Sequence, residues 1–140
     1  MEFGPADGVF TKVLLDKLTA GSHIAAIETN ESFVKDLNNI DDERLTVIHK
    51  SVESLDKIAE SMKWETVDYI ISGIPFSFLE EEVKNTILDK SAGLLTSEGA
   101  FLGYQTSSHL KSHLQKHFKN VGTEMEYRNI PPMCVYYAKK

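Results

Sequence analysis

Short apolar runs of strand length alternate with longer segments of helical period along most of this chain, and that alternation restricts its fold more than any other feature. Val9 to Leu18 has apolar residues at Val9, Phe10, Val13, Leu14 and Leu18, which predicts a helix with that inner face, ended by Gly21. His23 to Glu28 is an apolar run that closes on an acid, the pattern of a buried strand. Asn30 is placed to cap a helix whose inner face is Phe33, Val34 and Leu37. Leu45 to His49 reads as the next strand, and Val52 to Met62 as a helix through Val52, Leu55, Ile58 and Ala59. Val67 to Ser72 is a strand stopped by Gly73 and Pro75. Ser77-Phe78-Leu79-Glu80 fits a capping box and predicts a helix from Phe78 to Leu95, with Val83, Ile87, Leu88 and Leu94 facing inward. Gly99 to Gln105 is a further strand. Ser107 or Ser108 then caps a helix with its seam at Leu110, Leu114 and Phe118.

The end of the chain differs in kind. Val121 to Arg128 and Met133 to Ala138 are extended runs joined by Asn129-Ile130-Pro131-Pro132. No helix fits between them, so they pair antiparallel. The rest alternates strand and helix, which means an α/β fold with a mostly parallel, doubly wound sheet. The length of 140 residues suits one domain.

Within that frame, Met1 to Gly8 reads as a strand end, a glycine-bearing turn and a helix start, and Glu28 follows Gly8 by 20 positions. This is the layout of a nucleotide-type cofactor site. Glycines let backbone approach the ligand, and a carboxylate at the end of the next strand accepts ribose hydroxyls. The net charge of −6 argues against a surface built to grip a polyphosphate backbone. The single cysteine, Cys134, excludes an intramolecular disulfide and fits a cytoplasmic setting. No apolar run approaches the ~20 residues of a membrane-spanning helix.

Glu2-Phe3-Gly4-Pro5-Ala6-Asp7-Gly8 resembles the first motif of class I S-adenosylmethionine-dependent methyltransferases, acid-x-Gly-x-Gly-x-Gly, with Ala6 in the middle glycine slot. The closing hairpin, its last strand inserted beside the fifth, is also similar to theirs. The resemblance runs from Met1 to the end of the chain and implies S-adenosyl-L-methionine as cofactor. It assigns Glu2, Gly4, Ala6 and Gly8 to the cofactor turn, Glu28 with Thr29 to the ribose, and Ser51 with the Val52 backbone to the adenine. Ser72, at the fourth motif, completes the set. Ala6 suits the turn if its φ is negative and costs more if it is not.

The fourth motif, Ser72-Gly73-Ile74-Pro75-Phe76, resembles the Asn-x-Pro-Tyr/Phe segment of ribosomal RNA adenine dimethylases. It is more similar to the Ser-Gly-Leu-Pro-Phe form of bacterial phospholipid N-methyltransferases. Gly99-Ala100-Phe101 with Tyr104-Gln105, and the ending Asn-Ile-Pro-Pro-x-x-Val-Tyr, resemble the same lipid-methylating group. The implied activity is methyl transfer to an amine nitrogen, on a phosphatidylethanolamine-type headgroup or a small molecule. Gly73, Pro75, Phe76 and Tyr104 are then the catalytic candidates. Backbone carbonyls near Gly73 and Ile74 accept from the amine, Phe76 offers an aromatic face, and Tyr104 or His109 helps water take a proton.

Two alternatives share the pattern. One is an RNA adenine dimethylase, disfavoured because Gly73 has no side chain where that family has Asn. The other is a non-catalytic remnant, of which Ala6, Ser51 and Gly73 would be symptoms. Nucleic acid is the less favoured partner, and peripheral contact at the inner membrane face the more favoured. In the lipid-methylating group an amphipathic or basic segment precedes the first motif. Here the motif begins at Glu2, so residues 1–140 are expected to form one domain without its N-terminal helix and most of its first strand. No metal is expected: His109, His113 and His117 flank the Leu110 seam without a cysteine or carboxylate placed to complete a tetrahedral site.

Overall fold

The computed structural model describes residues 1–140 as two compact units, Met1–Val52 and Glu53–Lys140. In the first, strands β1 (Glu2–Phe3), β2 (Ile24–Glu28) and β3 (Leu45–His49) alternate with helices α1 (Val9–Lys17) and α2 (Glu31–Asn38). The pairing is parallel throughout, with β2 in the middle: Glu2 lies opposite Ala26, Phe3 opposite Ile27, and Glu28 opposite His49. All five residues of β2 are buried, which explains its unbroken apolar run. Asn30 caps α2 as expected, its side chain accepting the Ser32 N–H at 2.9 Å.

The inner face of α1 differs from the expectation. Val9, Phe10 and Val13 are 64%, 39% and 49% exposed, whereas Thr11 and Leu15 are buried. Periodicity locates an apolar stripe but cannot say which stripe is covered. Here Thr11 turns inward because its hydroxyl donates to the buried Glu2 carboxylate at 2.7 Å.

The second unit holds α3 (Leu55–Met62), β4 (Val67–Ser72), α4 (Glu81–Leu94), β5 (Leu95–Gln105), α5 (Leu110–His117), β6 (Asn120–Glu126) and β7 (Met133–Lys139). Its strand order is β4-β5-β7-β6. The β4 and β5 strands are parallel; β7 runs antiparallel to both β5 and β6, so the last strand does insert beside the fifth. The chain thus has the mostly parallel strands and the closing antiparallel hairpin that its patterning implied. Phe101 is the hub of the core, edge-on to Phe76 at 6.4 Å and tilted against Phe118 at 6.0 Å. The seam of α5 is buried at Leu110, Leu114 and Phe118.

Three local expectations are corrected. The Ser77 capping box does not form: residues 76–78 make a single 3-10 turn, and α4 begins at Glu81 with Glu80 at its cap and no side-chain cap bond. The turn forms instead because the Phe76 ring is drawn into the core. Helix α5 is capped by His109, and Ser107 reaches only the His109 N–H, at 3.4 Å. Strand β5 starts at Leu95 rather than Gly99, with a register shift between Val67 and Tyr69 on its partner.

Gly99 is required at that irregularity, since a Cβ there would sit 2.7 Å from the Asp68 carbonyl oxygen. Backbone in a paired strand cannot yield as a side-chain end can. Gly99→Ala is therefore expected to destabilise the protein by about 2 kcal/mol, read as a lower urea midpoint at unchanged m-value. No helix is long and apolar enough to cross a membrane.

Candidate functional site

The first unit carries the cofactor residues read from its sequence. The Gly4 N–H donates to the Ile27 carbonyl at 2.9 Å, so the turn leaves β1 directly beside the end of β2. Gly4, Ala6 and Gly8 all have positive φ, at 63°, 51° and 78°. The glycine slots are thus used as glycine slots, and Ala6 takes the conformation that costs an L-residue most. Ala6→Gly is expected to stabilise the fold by about 1 kcal/mol, seen as a melting temperature higher by roughly 3–4 °C.

Glu28 ends β2 and holds the turn. Its Oε2 accepts the Ala6 N–H at 3.1 Å, and its Oε1 accepts the N–H groups of Thr29 and Asn30 at 2.8 and 2.9 Å. A carboxylate has about four acceptor positions. Three are taken by backbone, so the carboxylate is locked in direction and keeps acceptor capacity on Oε2. The Thr29 carbonyl is in turn met by His49 Nε2 at 3.0 Å, a contact not read from the sequence. It joins the ends of β2 and β3, which no local pattern reveals.

Glu2 is fully buried. Its Oε2 accepts from Thr11, and its Oε1 has no hydrogen-bond partner. Burial pushes its pKa above the ordinary 4.5, while the Thr11 bond and, more weakly, the positive charge of the N-terminal amine pull the other way. A buried carboxylate oxygen without a partner is costly unless something cationic or protic meets it. Ser51 is half-buried after β3 and Val52 is buried beside it.

In the second unit, Ser72 ends β4 and is buried, its hydroxyl 3.4 Å from the Ile74 N–H. Gly73 is half-buried and Pro75 exposed. The Ile74 carbonyl already accepts the Phe76 N–H at 2.9 Å, which leaves it one further acceptor position. The Phe76 ring is only 2% exposed and packs on Phe101, so it supplies no free aromatic face; the exposed ring of this loop is Phe78, at 85%.

Gln105 holds the loop. Its Oε1 accepts the Phe76 N–H at 3.1 Å and its Nε2 donates to the Ser107 carbonyl at 3.0 Å. Sequence reading missed this residue because a polar side chain at a strand end gives no sign of being buried. Tyr104, on β5 opposite Val135, is half-buried, and His109 is exposed. The histidines of α5 are engaged with acids: His113 Nδ1 lies 3.2 Å from Glu81, and His117 Nδ1 lies 3.7 Å from Asp89.

No protein-family model matches the chain. It is similar to an ornithine lipid N-methyltransferase from Singulisphaera acidiphila, at 22% identity over 99% of this chain and 74% of that protein. Among solved structures, it superposes on a 1,6-didemethyltoxoflavin-N1-methyltransferase from Burkholderia thailandensis with a TM-score of 0.77 at 19% identity, covering 99% of this chain and 69% of the other. That structure contains S-adenosylhomocysteine. The magnesium protoporphyrin IX methyltransferase of Synechocystis PCC 6803, with S-adenosylmethionine bound, gives 0.74 at 11% identity, covering 99% and 68%. Over 99% of its length the chain therefore has the fold of the class I S-adenosylmethionine-dependent methyltransferases.

Proposed function

We propose that residues 1–140 act as an S-adenosylmethionine-dependent N-methyltransferase domain whose acceptor is the amine of a phosphatidylethanolamine-type headgroup. The observation that carries the cofactor reading is the locked Glu28 carboxylate beside a turn with three positive φ angles. Such a turn brings backbone close to a ligand, and the spare acceptor capacity of Glu28 suits ribose hydroxyls. The partnerless Oε1 of Glu2 fits a ligand that carries cationic groups. Ser51 and the Val52 backbone are assigned to the adenine.

When bound, the cofactor would supply a sulfonium-activated methyl group, transferred to the amine nitrogen as the S–CH3 bond breaks and the neutral thioether leaves. The protein's part is to place and desolvate the reactants. The loop after β4 positions the amine through backbone carbonyls at Gly73 and Ile74, held by Gln105 through the Phe76 N–H. Pro75 stiffens that loop, and Tyr104 is assigned to passing the released proton to water. Phe76 acts as the core anchor of the loop rather than as a substrate contact.

The lipid acceptor is supported by the Ser-Gly-Ile-Pro-Phe segment and by the lipid-methylating relative. The absence of a side chain at Gly73 weighs against adenine. Calorimetry with S-adenosylmethionine is expected to show binding in the micromolar range, and labelled methyl is expected to enter phosphatidylethanolamine vesicles but not ribosomal RNA. No binding at millimolar cofactor overturns the methyltransferase reading. Transfer to RNA alone overturns the lipid assignment.

A further inference from the structure

Three large hydrophobic side chains are exposed on the connections at one end of the second unit. Strand β5 ends at Gln105, opposite Cys134 at the start of β7, and Met133 pairs with Glu126 at the end of β6. The hairpin turn after β6 therefore emerges where β5 ends. The loop after β4 emerges there too, because its Phe76 N–H is bound by Gln105. From these connections project Phe78, Tyr127 and Ile130, which are 85%, 75% and 98% exposed, with Pro131 and Pro132 also exposed. The only cation of the hairpin turn, Arg128, is neutralised by a fork to Glu126, with Nε at 2.9 Å and a terminal nitrogen at 2.5 Å.

We infer that this rim is a bilayer-docking surface, with Phe78, Tyr127 and Ile130 entering the boundary between headgroups and acyl chains. Three features favour a lipid surface over a protein partner. The rim is the tip of a two-stranded turn plus one loop, a shape that enters a soft interface but offers little area for the ~800 Å² per side of a stable protein contact. Tyr127 is an amphipathic ring of the kind that favours the level of the headgroups, and Phe78 and Ile130 supply apolar area that can be buried just below it. Its one turn cation is already paired and the whole chain carries −6, so the match is to an uncharged zwitterionic surface rather than an anionic one. The inference rests on the lipid reading above, since it places the bilayer at the loop assigned to the headgroup.

The test is sedimentation of the protein with phosphatidylcholine vesicles, which contain no amine to methylate. Binding is expected, changing less than about twofold between about 0.1 and 0.5 M NaCl. Ile130→Ser combined with Phe78→Ser is expected to reduce the bound fraction at least about tenfold while leaving calorimetric cofactor binding unchanged. Arg128→Gln is expected to bind as the wild type does. Failure of the wild type to bind, equal binding by the double variant, or loss of binding in salt or on Arg128→Gln each overturns the docking surface. So does self-association that depends on Ile130 and Phe78 without vesicle binding. Transfer to phosphatidylethanolamine in detergent micelles is read separately. If it proceeds without bilayer binding, docking falls and the lipid activity stands. If binding occurs without transfer, the reverse holds.

Discussion

Replacing Glu28 by glutamine is expected to weaken S-adenosylmethionine binding by roughly 10- to 100-fold, the worth of one or two charge-assisted hydrogen bonds. The geometry makes this substitution severe despite its small size. Both carboxylate oxygens accept backbone N–H groups, Oε1 from Thr29 and Asn30 and Oε2 from Ala6. An amide has only one acceptor oxygen. Whichever way it is turned, its NH2 group faces at least one backbone donor, and the tie between the Gly4–Gly8 turn and β2 is broken or reversed. Stability should fall as well, by about 1–2 kcal/mol. Glu28→Asp should give an intermediate loss, since a side chain one methylene shorter cannot span Ala6 and the Thr29–Asn30 pair together. Titration calorimetry reads the affinity and urea unfolding the stability. Unchanged affinity in the glutamine variant would remove Glu28 from the ribose.

The second expectation has opposite signs for stability and binding. Glu2→Gln should stabilise the cofactor-free protein at pH 7 by about 1 kcal/mol and weaken cofactor binding roughly tenfold, about one lost ionic hydrogen bond. The carboxylate is fully buried with Oε1 unpartnered, and burial holds its pKa above the ordinary 4.5. The native state thus keeps its Glu2 proton at pH values where the unfolded chain has already lost it. Stability falls as pH rises from 4.5 through the raised native value. The gain from glutamine is therefore present at neutral pH and vanishes near pH 4, where Glu2 is protonated in both states. Thermal melts of both proteins from pH 4 to 8 would show converging midpoints on the acid side. Parallel curves across that range would mean that the buried charge is not what the substitution relieves.

These two acids illustrate how legible the site was. The place of Glu28, at the end of β2 beside the glycine turn, is read from the chain alone because it depends on local things: a strand of ordinary length, a glycine turn, and the distance between them. That Glu2 is buried with a partnerless oxygen is not local. It depends on α1 turning Thr11 inward rather than Val9, Phe10 and Val13. The same holds for Phe76. A Pro-Phe pair after a strand reads equally well as a displayed ring or a buried one, and Phe101 and Phe118, far along the chain, decide for burial. Gln105 and His49 were invisible for a related reason, since each acts on a backbone group brought near by strand pairing.

The sequence by itself determined the succession of strands and helices along the chain, the mostly parallel character of the sheet and the antiparallel pairing of the last two strands. A parallel pair needs a helix-length crossover and an antiparallel pair does not, so the spacing of apolar runs was enough to place the closing hairpin. It also located the glycine-bearing turn after β1 and the Ser72–Phe76 segment at the end of β4. Only the tertiary structure decided the sign of φ at Ala6, the covered face of α1, the start of α4 at Glu81 and the exposed rim at Phe78, Tyr127 and Ile130. Each of those depends on which side of a segment meets the core. Periodicity fixes that choice only up to a rotation, and packing against distant residues removes the remaining freedom.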